Sequence, residues 1–169
     1  MGKEMQNIGV LFVCMGNICR SPAAQGVFES YLAESGLASR VRVDSAGTHA
    51  YHIGEPPDKR MQAAATRRGY DLSSLRARCI EEKDFERFDY VLVMDRDNLE
   101  VLHTRGLNPN AMSSVHLLMS FAPECGVIEV PDPYYGGSEG FERVLDLVEE
   151  ASKGLMVDIH RRLEMNSVS

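Results

Sequence analysis

Short apolar stretches alternate along the chain with longer stretches in which apolar residues recur at helical spacing. The short stretches are rich in β-branched and aromatic residues, which favour strands. They predict strands over Ile8 to Val13, Arg40 to Asp44, Tyr90 to Met94 and Ser113 to Leu118. Strands that alternate with helices build parallel sheets covered on both faces. We therefore predict an α/β fold: a single domain with a four-stranded parallel sheet and helices on both faces.

The helices are predicted from apolar spacing together with start and stop residues. In the first connection we place Ser21 as the N-cap, Pro22 as the first helical residue and Gly36 as the end. A second helix is predicted from about Pro57 to Gly69.

A third helix is predicted from about Arg96 to Arg105, before Gly106. The stretch from Ser120 to Gly140 lacks clear periodicity and is rich in proline and glycine, so it is predicted as a long loop, and long loops are often functional. The last helix is predicted from one apolar face, formed by Phe141, Val144, Leu145, Val148, Leu155, Ile159 and Leu163.

The order of elements also predicts where a ligand binds. Open parallel α/β sheets bind ligands beyond the carboxyl ends of their strands. The residues that follow the first three predicted strands are Cys14, Ser45 and Asp95, and the 120–140 loop follows the fourth. We therefore expect these segments to build one site.

Composition narrows the class of function. The chain has 169 residues, 44% of them hydrophobic and 25% charged, which is typical of one globular domain, predicted over residues 1–169 with a core from about 7 to 163. Its 18 Lys and Arg residues against 25 Asp and Glu residues give a net charge of −7. This balance disfavours nucleic acid as a partner. An anionic ligand would have to be held by local groups.

The apolar run at the first strand is far too short to span a bilayer, and it has no features of a signal peptide. We expect a cytoplasmic protein with no membrane partner. Four cysteines without a secretory signal are too few for a disulfide framework, so we expect reduced thiols. Cys79 and Cys125 are interpreted as ordinary thiols.

The loop between the first strand and the first helix has the residues of an anion site. A loop of this length before a helix N-terminus aims backbone N–H groups into one hollow. Gly16 and Asn17 tolerate the left-handed backbone of a tight curl. Arg20 offers a forked guanidinium that suits two phosphate oxygens. The segment reads Cys14-Met15-Gly16-Asn17-Ile18-Cys19-Arg20-Ser21-Pro22.

Cys14 would lie at the bottom of this hollow. A helix N-terminus and a nearby arginine favour the thiolate form of a cysteine, so we expect Cys14 to be ionised at neutral pH. The same groups would bind a phosphoryl group and stabilise its oxygens during transfer. Ser21 would donate a hydrogen bond to the sulfur and make it a better leaving group. The alternative is a buried strand-end thiol, with Arg20 as an unrelated surface cation.

The segment from Val13 to Pro22, with Asp132-Pro133-Tyr134-Tyr135 far downstream, closely resembles the low-molecular-weight protein tyrosine phosphatases. The resemblance extends through residues 44–48, residues 88–95 and the final helix, and so covers nearly the whole chain. It implies hydrolysis of phosphotyrosine in proteins, and of small aryl phosphates, through a phosphocysteine intermediate in a P-loop. We predict no cofactor and no metal.

The reaction also needs a carboxylic acid, because the leaving group of an ester requires a proton. Asp132 is the best candidate, and the proline after it stiffens the loop that carries it. Considered alone, a loop aspartate before proline is more often a turn residue. The resemblance reverses that interpretation, because the general acid of the family is the aspartate of this same segment.

The resemblance assigns further roles. It implies aromatic walls at Tyr51, Tyr134 and Tyr135, although each would equally fit a half-buried packing tyrosine. It implies that Ser45 braces Asn17, where the alternative is a serine that only caps a turn. It implies that Asp95 steadies Arg20, where the alternative is an N-cap of the next helix, and both roles are compatible. The predicted substrate-binding residues of the loop are Met15, Gly16, Asn17, Ile18, Cys19 and Ser21.

Cys19 is predicted either to form a reversible disulfide with an oxidised Cys14 or to serve only in packing. His49 and His52 have no clear partner ligands, so no metal site is predicted there. Similarity suggests a regulating tyrosine kinase that phosphorylates Tyr134 and Tyr135. We expect a monomer or weak dimer whose substrate is a tyrosine-phosphorylated protein.

Three other functions share parts of this pattern. Arsenate reductases of similar fold have the same loop but pass electrons through additional cysteines, and Cys79 and Cys125 do not form a close pair. A phosphocarrier of the sugar phosphotransferase type needs neither Arg20 nor an acid at Asp132. An anion-binding module without turnover is disfavoured by the complete set of Cys14, Arg20 and Asp132.

Overall fold

The computed structural model describes residues 8–105 and 107–168, with side chains described up to residue 166. Within these residues, four strands form one parallel sheet in the order β2-β1-β3-β4. The predicted single α/β domain with a four-stranded parallel sheet is confirmed. The strands are β1 (Ile8–Cys14), β2 (Val41–Gly47), β3 (Tyr90–Val93) and β4 (Val115–Leu117).

The helices lie between and after the strands. Two of them, each of four residues, were not predicted, because a single turn is too short to give a periodic pattern. Across residues 8–105 and 107–168, each helix is too short or too polar to cross a membrane. The helices are α1 (Arg20–Glu34), α2 (Lys59–Arg67), α3 (Asp84–Arg87), α4 (Arg96–Thr104), α5 (Pro109–Met112) and α6 (Ser138–Val168).

The two faces of β1 pack into two separate apolar cores. Val10 and Phe12 belong to the core that α1, α2 and α6 cover, and the Phe12 ring meets Phe28 of α1 edge to face with centroids 5.8 Å apart. Leu11 and Val13 belong to the core under α4. Because successive strand residues point to opposite faces, this division confirms helices on both faces of the sheet.

The strand order creates a crevice at the end of β1. β1 lies between β2 and β3, so the connections that follow β1 and β2 lead to opposite sides of it. This reversal of strand order leaves an open crevice at the carboxyl ends of the strands. Cys14 is the last residue of β1, and Asp95 lies two residues after the end of β3.

Two boundaries differ from the prediction in ways that matter for the site. β2 continues to Gly47, so Ser45 lies inside the strand and not after it, because Gly47 pairs with Cys14. The first helix begins at Arg20, with Cys19 as its cap residue. Ser21 is therefore not the N-cap, and its hydroxyl contacts Asn17 and the Cys14 sulfur instead.

The remaining boundaries agree more closely. The first helix ends just before Gly36, which has φ 72°, as predicted for a glycine stop. The third helix ends at Thr104, and the predicted stop at Gly106 lies outside the described residues, as do residues 1–7 and 169 of the predicted domain. The predicted 120–140 loop is interrupted by 3-10 turns, of which the second spans Pro123–Cys125, and α6 begins at Ser138.

Candidate active site

The loop between β1 and α1, residues 14–20, curls around the Cys14 sulfur. Asn17 has φ 59°, the left-handed value that the tight curl requires. Its backbone N–H donates to Cys14 Sγ at 3.3 Å, and Ser21 Oγ lies 3.0 Å from the same sulfur. Gly16 is not in the left-handed region. A side chain at this position would crowd His52, because a Cβ there would lie 3.0 Å from the His52 ring.

The Asn17 side chain holds this curl from within. Its Nδ2 group donates to Ser21 Oγ at 2.8 Å and to Ser45 Oγ at 3.0 Å. Its Oδ1 accepts from the backbone N–H of Arg78 at 3.0 Å. The Ser45 hydroxyl donates a hydrogen bond to Gln25 Oε1 at 2.7 Å. The structure thus brings together Asn17 and Ser45, and it adds Gln25 and Arg78. Sequence reasoning missed these two because Gln25 bonds to Ser45, 20 positions away, and Arg78 bonds to Asn17, 61 positions away.

Arg20 is buried beside the loop. Its Nη1 donates to Asp95 Oδ2 at 2.5 Å and to the Val130 carbonyl at 3.0 Å. Its Nη2 lies 3.8 Å from Asp132 Oδ2. Burial disfavours the charged guanidinium, but the Cys14 sulfur and Asp95 outweigh this effect and raise the pKa of Arg20 above its usual value.

Asp95 has two partners at once. One carboxylate oxygen accepts from Arg20, and the other caps α4 by accepting from Asn98 N at 2.8 Å. The Asn98 side chain accepts in return from the Asp95 backbone, which completes a capping box. Asp95 therefore makes both of the contacts that the sequence offered as alternatives: it accepts from Arg20, and it caps α4.

Asp132 approaches from the loop before α6, with 37% of its side chain exposed. Its Oδ1 accepts from the backbone N–H of Tyr134 at 3.0 Å, as in an Asx turn. Upstream, Val130 N–H donates to the Met94 carbonyl at 2.8 Å, at the end of β3. The Asp132 segment is therefore bound to the carboxyl end of the sheet, where the 14–20 loop also lies.

Cys14, Arg20 and Asp132 line one cavity of about 340 Å³, within the range of small-ligand sites. Asn17, Ser21, Ser45 and Asp95 do not line it; they support the residues that do. His52 does line it, although the sequence predicted neither a metal site nor any other role for His52. The lining residues are Cys14, Met15, Gly16, Ile18, Cys19, Arg20, Tyr51, His52, Asp132, Tyr134 and Tyr135.

Aromatic side chains form the rim of the cavity. Tyr51 is 69% exposed and stacks on His49, with ring centroids 5.3 Å apart. Tyr134 is half-buried and meets the exposed Tyr135 edge to face at 5.0 Å. His52 pairs with Glu55 at 3.2 Å. Within residues 8–105 and 107–168, no group of three or more His, Cys, Asp or Glu side chains is arranged to hold a metal ion.

Cys19 also lines the cavity, as a buried free thiol. Burial raises the pKa of the Cys19 thiol well above its usual value, and the neighbouring Asp58, Cys14 and Asp132 raise it further. Cys19 is therefore a neutral thiol at physiological pH. Cys79 and Cys125, both half-buried and free, are outside the cavity lining.

Comparison with known proteins places this geometry in a family. The family model described as low molecular weight phosphotyrosine protein phosphatase matches residues 9–166. The low molecular weight protein-tyrosine-phosphatase of Streptomyces coelicolor is 41% identical over 157 residues, which are 92% of this chain and 95% of that protein. The human low molecular weight phosphotyrosine protein phosphatase is 39% identical over 158 residues, 93% of this chain and 99% of that protein. The crystal structure of a protein tyrosine phosphatase from Entamoeba histolytica, with Hepes in the active site, has a TM-score of 0.88 and 39% identity, covering 92% of this chain and 98% of that one. This chain belongs to the low molecular weight phosphotyrosine protein phosphatase family.

Proposed function

We propose that this protein hydrolyses phosphotyrosine in proteins, and small aryl phosphates, through a phosphocysteine intermediate on Cys14. One observation carries the proposal. The Cys14 sulfur, the Arg20 guanidinium and the Asp132 carboxyl group line the same cavity of about 340 Å³. A nucleophile, an anion-binding fork and a proton donor are the groups that phosphoryl transfer from an ester requires.

In the first step the phosphoryl group lies over the 14–20 loop. Arg20 Nη1 is held by Asp95 and Val130, and Nη2 binds the phosphoryl oxygens together with the backbone N–H groups of the loop. The Cys14 thiolate attacks phosphorus, and an S–P bond forms as the P–O bond to the tyrosyl oxygen breaks. Asp132 donates a proton to that oxygen, which leaves as a neutral phenol.

In the second step water replaces the phenol. The Asp132 carboxylate accepts a proton from the water as its oxygen attacks phosphorus. The S–P bond breaks, inorganic phosphate forms, and Cys14 leaves as a thiolate. The Ser21 hydroxyl, 3.0 Å from the sulfur, donates a hydrogen bond that stabilises this leaving group.

The rim supports an aromatic substrate. Tyr51 and Tyr134 stand at the mouth of the cavity, where their rings would flank a phenyl ring. Relatives named as protein-tyrosine phosphatases support the same substrate class. The match to the family model over residues 9–166 supports one phosphatase domain over residues 1–169. The regulating tyrosine kinase, the cytoplasmic location and the monomeric or weakly dimeric state stay predictions.

Cys14→Ser tests the nucleophile. We expect the variant to lose all measurable hydrolysis of 4-nitrophenyl phosphate while it still binds inorganic phosphate, because the loop and Arg20 are unchanged. In the unaltered protein, rapid quenching with substrate followed by intact-mass measurement should detect one added phosphoryl group. Cys125→Ser, outside the cavity, is the matched control and should retain full activity.

Two outcomes would contradict this proposal. Unchanged hydrolysis by the Cys14→Ser protein would exclude Cys14 as the nucleophile. Reduction of arsenate dependent on thioredoxin, with negligible hydrolysis of phosphate esters, would assign the chain to the arsenate reductases instead.

A further inference from the structure

The segment that carries Asp132 is anchored on both sides of that residue. On the upstream side, the Val130 carbonyl accepts from Arg20 at 3.0 Å and the Val130 N–H donates to Met94 at 2.8 Å. On the downstream side, the Tyr134 carbonyl accepts from Arg60 Nη2 at 3.0 Å. The upstream anchor belongs to the site already described. The downstream anchor belongs to α2, which has no part in the proposed chemistry.

Arg60 holds Tyr134 by more than this hydrogen bond. Its guanidinium carbon lies 5.4 Å from the centre of the Tyr134 ring and 4.8 Å from the centre of the Phe141 ring. Both distances are within the range of cation–π attraction. Arg60 thus contacts the backbone and the side chain of Tyr134 at once, and it links both to the first turn of α6.

Arg60 is itself fixed by Asp58. Its Nε donates to Asp58 Oδ1 at 3.1 Å and its Nη2 to Asp58 Oδ2 at 2.8 Å, a forked pair in which the aspartate is mostly buried. Asp58 caps α2, and its own backbone N–H donates to the Ile18 carbonyl at 2.8 Å. Because Ile18 belongs to the 14–20 loop, the chain of contacts connects the phosphate-binding loop to the Asp132 segment.

We propose that Arg60 is a positioning residue that sets the place of Asp132 through Tyr134. This inference rests on the proposed function and adds a residue to it. The link is short: Arg60 holds the Tyr134 carbonyl, and the Tyr134 N–H holds Asp132 Oδ1 at 3.0 Å. The Asp132 side chain is itself 37% exposed, and its Oδ2 lies 3.8 Å from Arg20 Nη2, farther than a hydrogen bond. A displacement of about 1 Å in a reacting group can cost about 100-fold in rate.

The first test compares leaving groups. Arg60→Gln removes the positive charge and the forked guanidinium of Arg60. If Asp132 is then misplaced, hydrolysis should slow most for the substrate whose leaving group depends most on a proton from Asp132. We expect kcat/KM to fall about ten-fold for phenyl phosphate and less than about three-fold for 4-nitrophenyl phosphate. The inhibition constant of inorganic phosphate should stay within about two-fold, because Arg20 and the loop remain.

Arg67→Gln is the matched control. Arg67 lies on the same helix and pairs with Glu142 of α6 at 2.8 Å. Arg67→Gln should leave kcat/KM unchanged for both phenyl phosphate and 4-nitrophenyl phosphate. Arg60→Lys keeps the charge over the rings but loses the fork, so it should show a smaller loss with the same leaving-group pattern. This variant also serves if Arg60→Gln folds poorly.

The second test is a double-mutant cycle. If Arg60 acts through Asp132, Arg60→Gln should change kcat/KM for phenyl phosphate less than about two-fold in the Asp132→Asn background. The same loss in both backgrounds, or an equal loss on both substrates, would overturn the inference, because Arg60 would then only support the cavity. Failure of the unaltered protein to hydrolyse either ester would instead overturn the proposed function.

Discussion

At the scale of single residues, Asn17 combines a backbone requirement with a side-chain requirement. A left-handed backbone costs a residue with a Cβ about 1–2 kcal/mol. Asn17 offsets this cost with hydrogen bonds to Ser21, Ser45 and the Arg78 backbone. Glycine would satisfy the backbone and none of these partners. Both demands are met together only by a short amide side chain.

Substitution at Asn17 separates the two requirements. Asn17→Gly should lower the free energy of unfolding by about 2 kcal/mol, because buried polar partners lose their hydrogen bonds. Asn17→Ala should cost about 1 kcal/mol more, because alanine also strains the left-handed backbone. Urea denaturation measures both values.

Asn110→Ala, at an exposed position on α5, is the control and should stay within about 0.5 kcal/mol of the unaltered protein. A glycine variant as stable as the original would mean that the Asn17 side chain is not needed to hold the loop.

At the scale of elements, the packing of α6 depends on one glycine. A Cβ built at Gly154 would lie 1.8 Å from the Phe121 carbonyl oxygen, in the 3-10 turn Leu118–Phe121. Backbone cannot yield as a flexible side chain can, so α6 and this turn approach closely only because position 154 lacks a side chain. The apolar face predicted for this helix, from Phe141 to Leu163, is buried as expected.

Gly154→Ala should therefore destabilise the protein, whereas the same substitution usually stabilises a helix. In an exposed helix interior, glycine to alanine stabilises by about 1 kcal/mol. Here the clash with Phe121 should lower the free energy of unfolding by at least about 2 kcal/mol, measured by urea denaturation. The neighbouring Lys153→Ala, at an exposed site, should change it by less than about 0.5 kcal/mol. A stabilised Gly154→Ala protein would disprove the close contact.

At the scale of the whole molecule, a charge cluster joins α2 to α6. Arg68 donates to Glu142 at 2.8 Å and to Asp146 and Glu149 at 2.9 Å each. Hydrogen bonds from Arg67 and then Arg68 lower the pKa of the Glu142 carboxyl group below its usual value. A lowered folded-state pKa contributes stability above the unfolded-state value of about 4.3 and loses it as the pH falls.

Arg68→Met should therefore destabilise the protein in a pH-dependent way. At pH 7 we expect a loss of about 1 kcal/mol in the free energy of unfolding, since the cluster is partly exposed. The difference from the unaltered protein should shrink as the pH falls from about 4.5 to about 3, because Glu142 becomes protonated. Urea denaturation across this range measures it. Arg161→Met, at an exposed position on α6, is the control. A difference for Arg68→Met that stays constant with pH would exclude Glu142 as its cause.

Most elements were predictable because local patterns specify them. The helix α1 ends at Glu34, just before Gly36, and α4 begins after Asp95, because glycine and aspartate act within one turn of the chain. The start of α1 was predicted wrongly at Ser21. The reason is tertiary: the Ser21 hydroxyl lies against Cys14 and Asn17, and no rule of local capping includes these partners.

Within the site, the sequence alone predicted the anion-binding loop from Cys14 to Arg20. It could do so because the strand end, the loop and the guanidinium of Arg20 lie in one short segment. The tertiary structure alone decided which distant groups hold the predicted residues in place. Arg60 and Tyr134 are 74 positions apart, and Arg20 and Val130 are 110 apart, yet each pair forms a hydrogen bond. Such contacts depend on how helices and loops pack around the sheet, and packing follows from summed burial across the chain rather than from any local pattern.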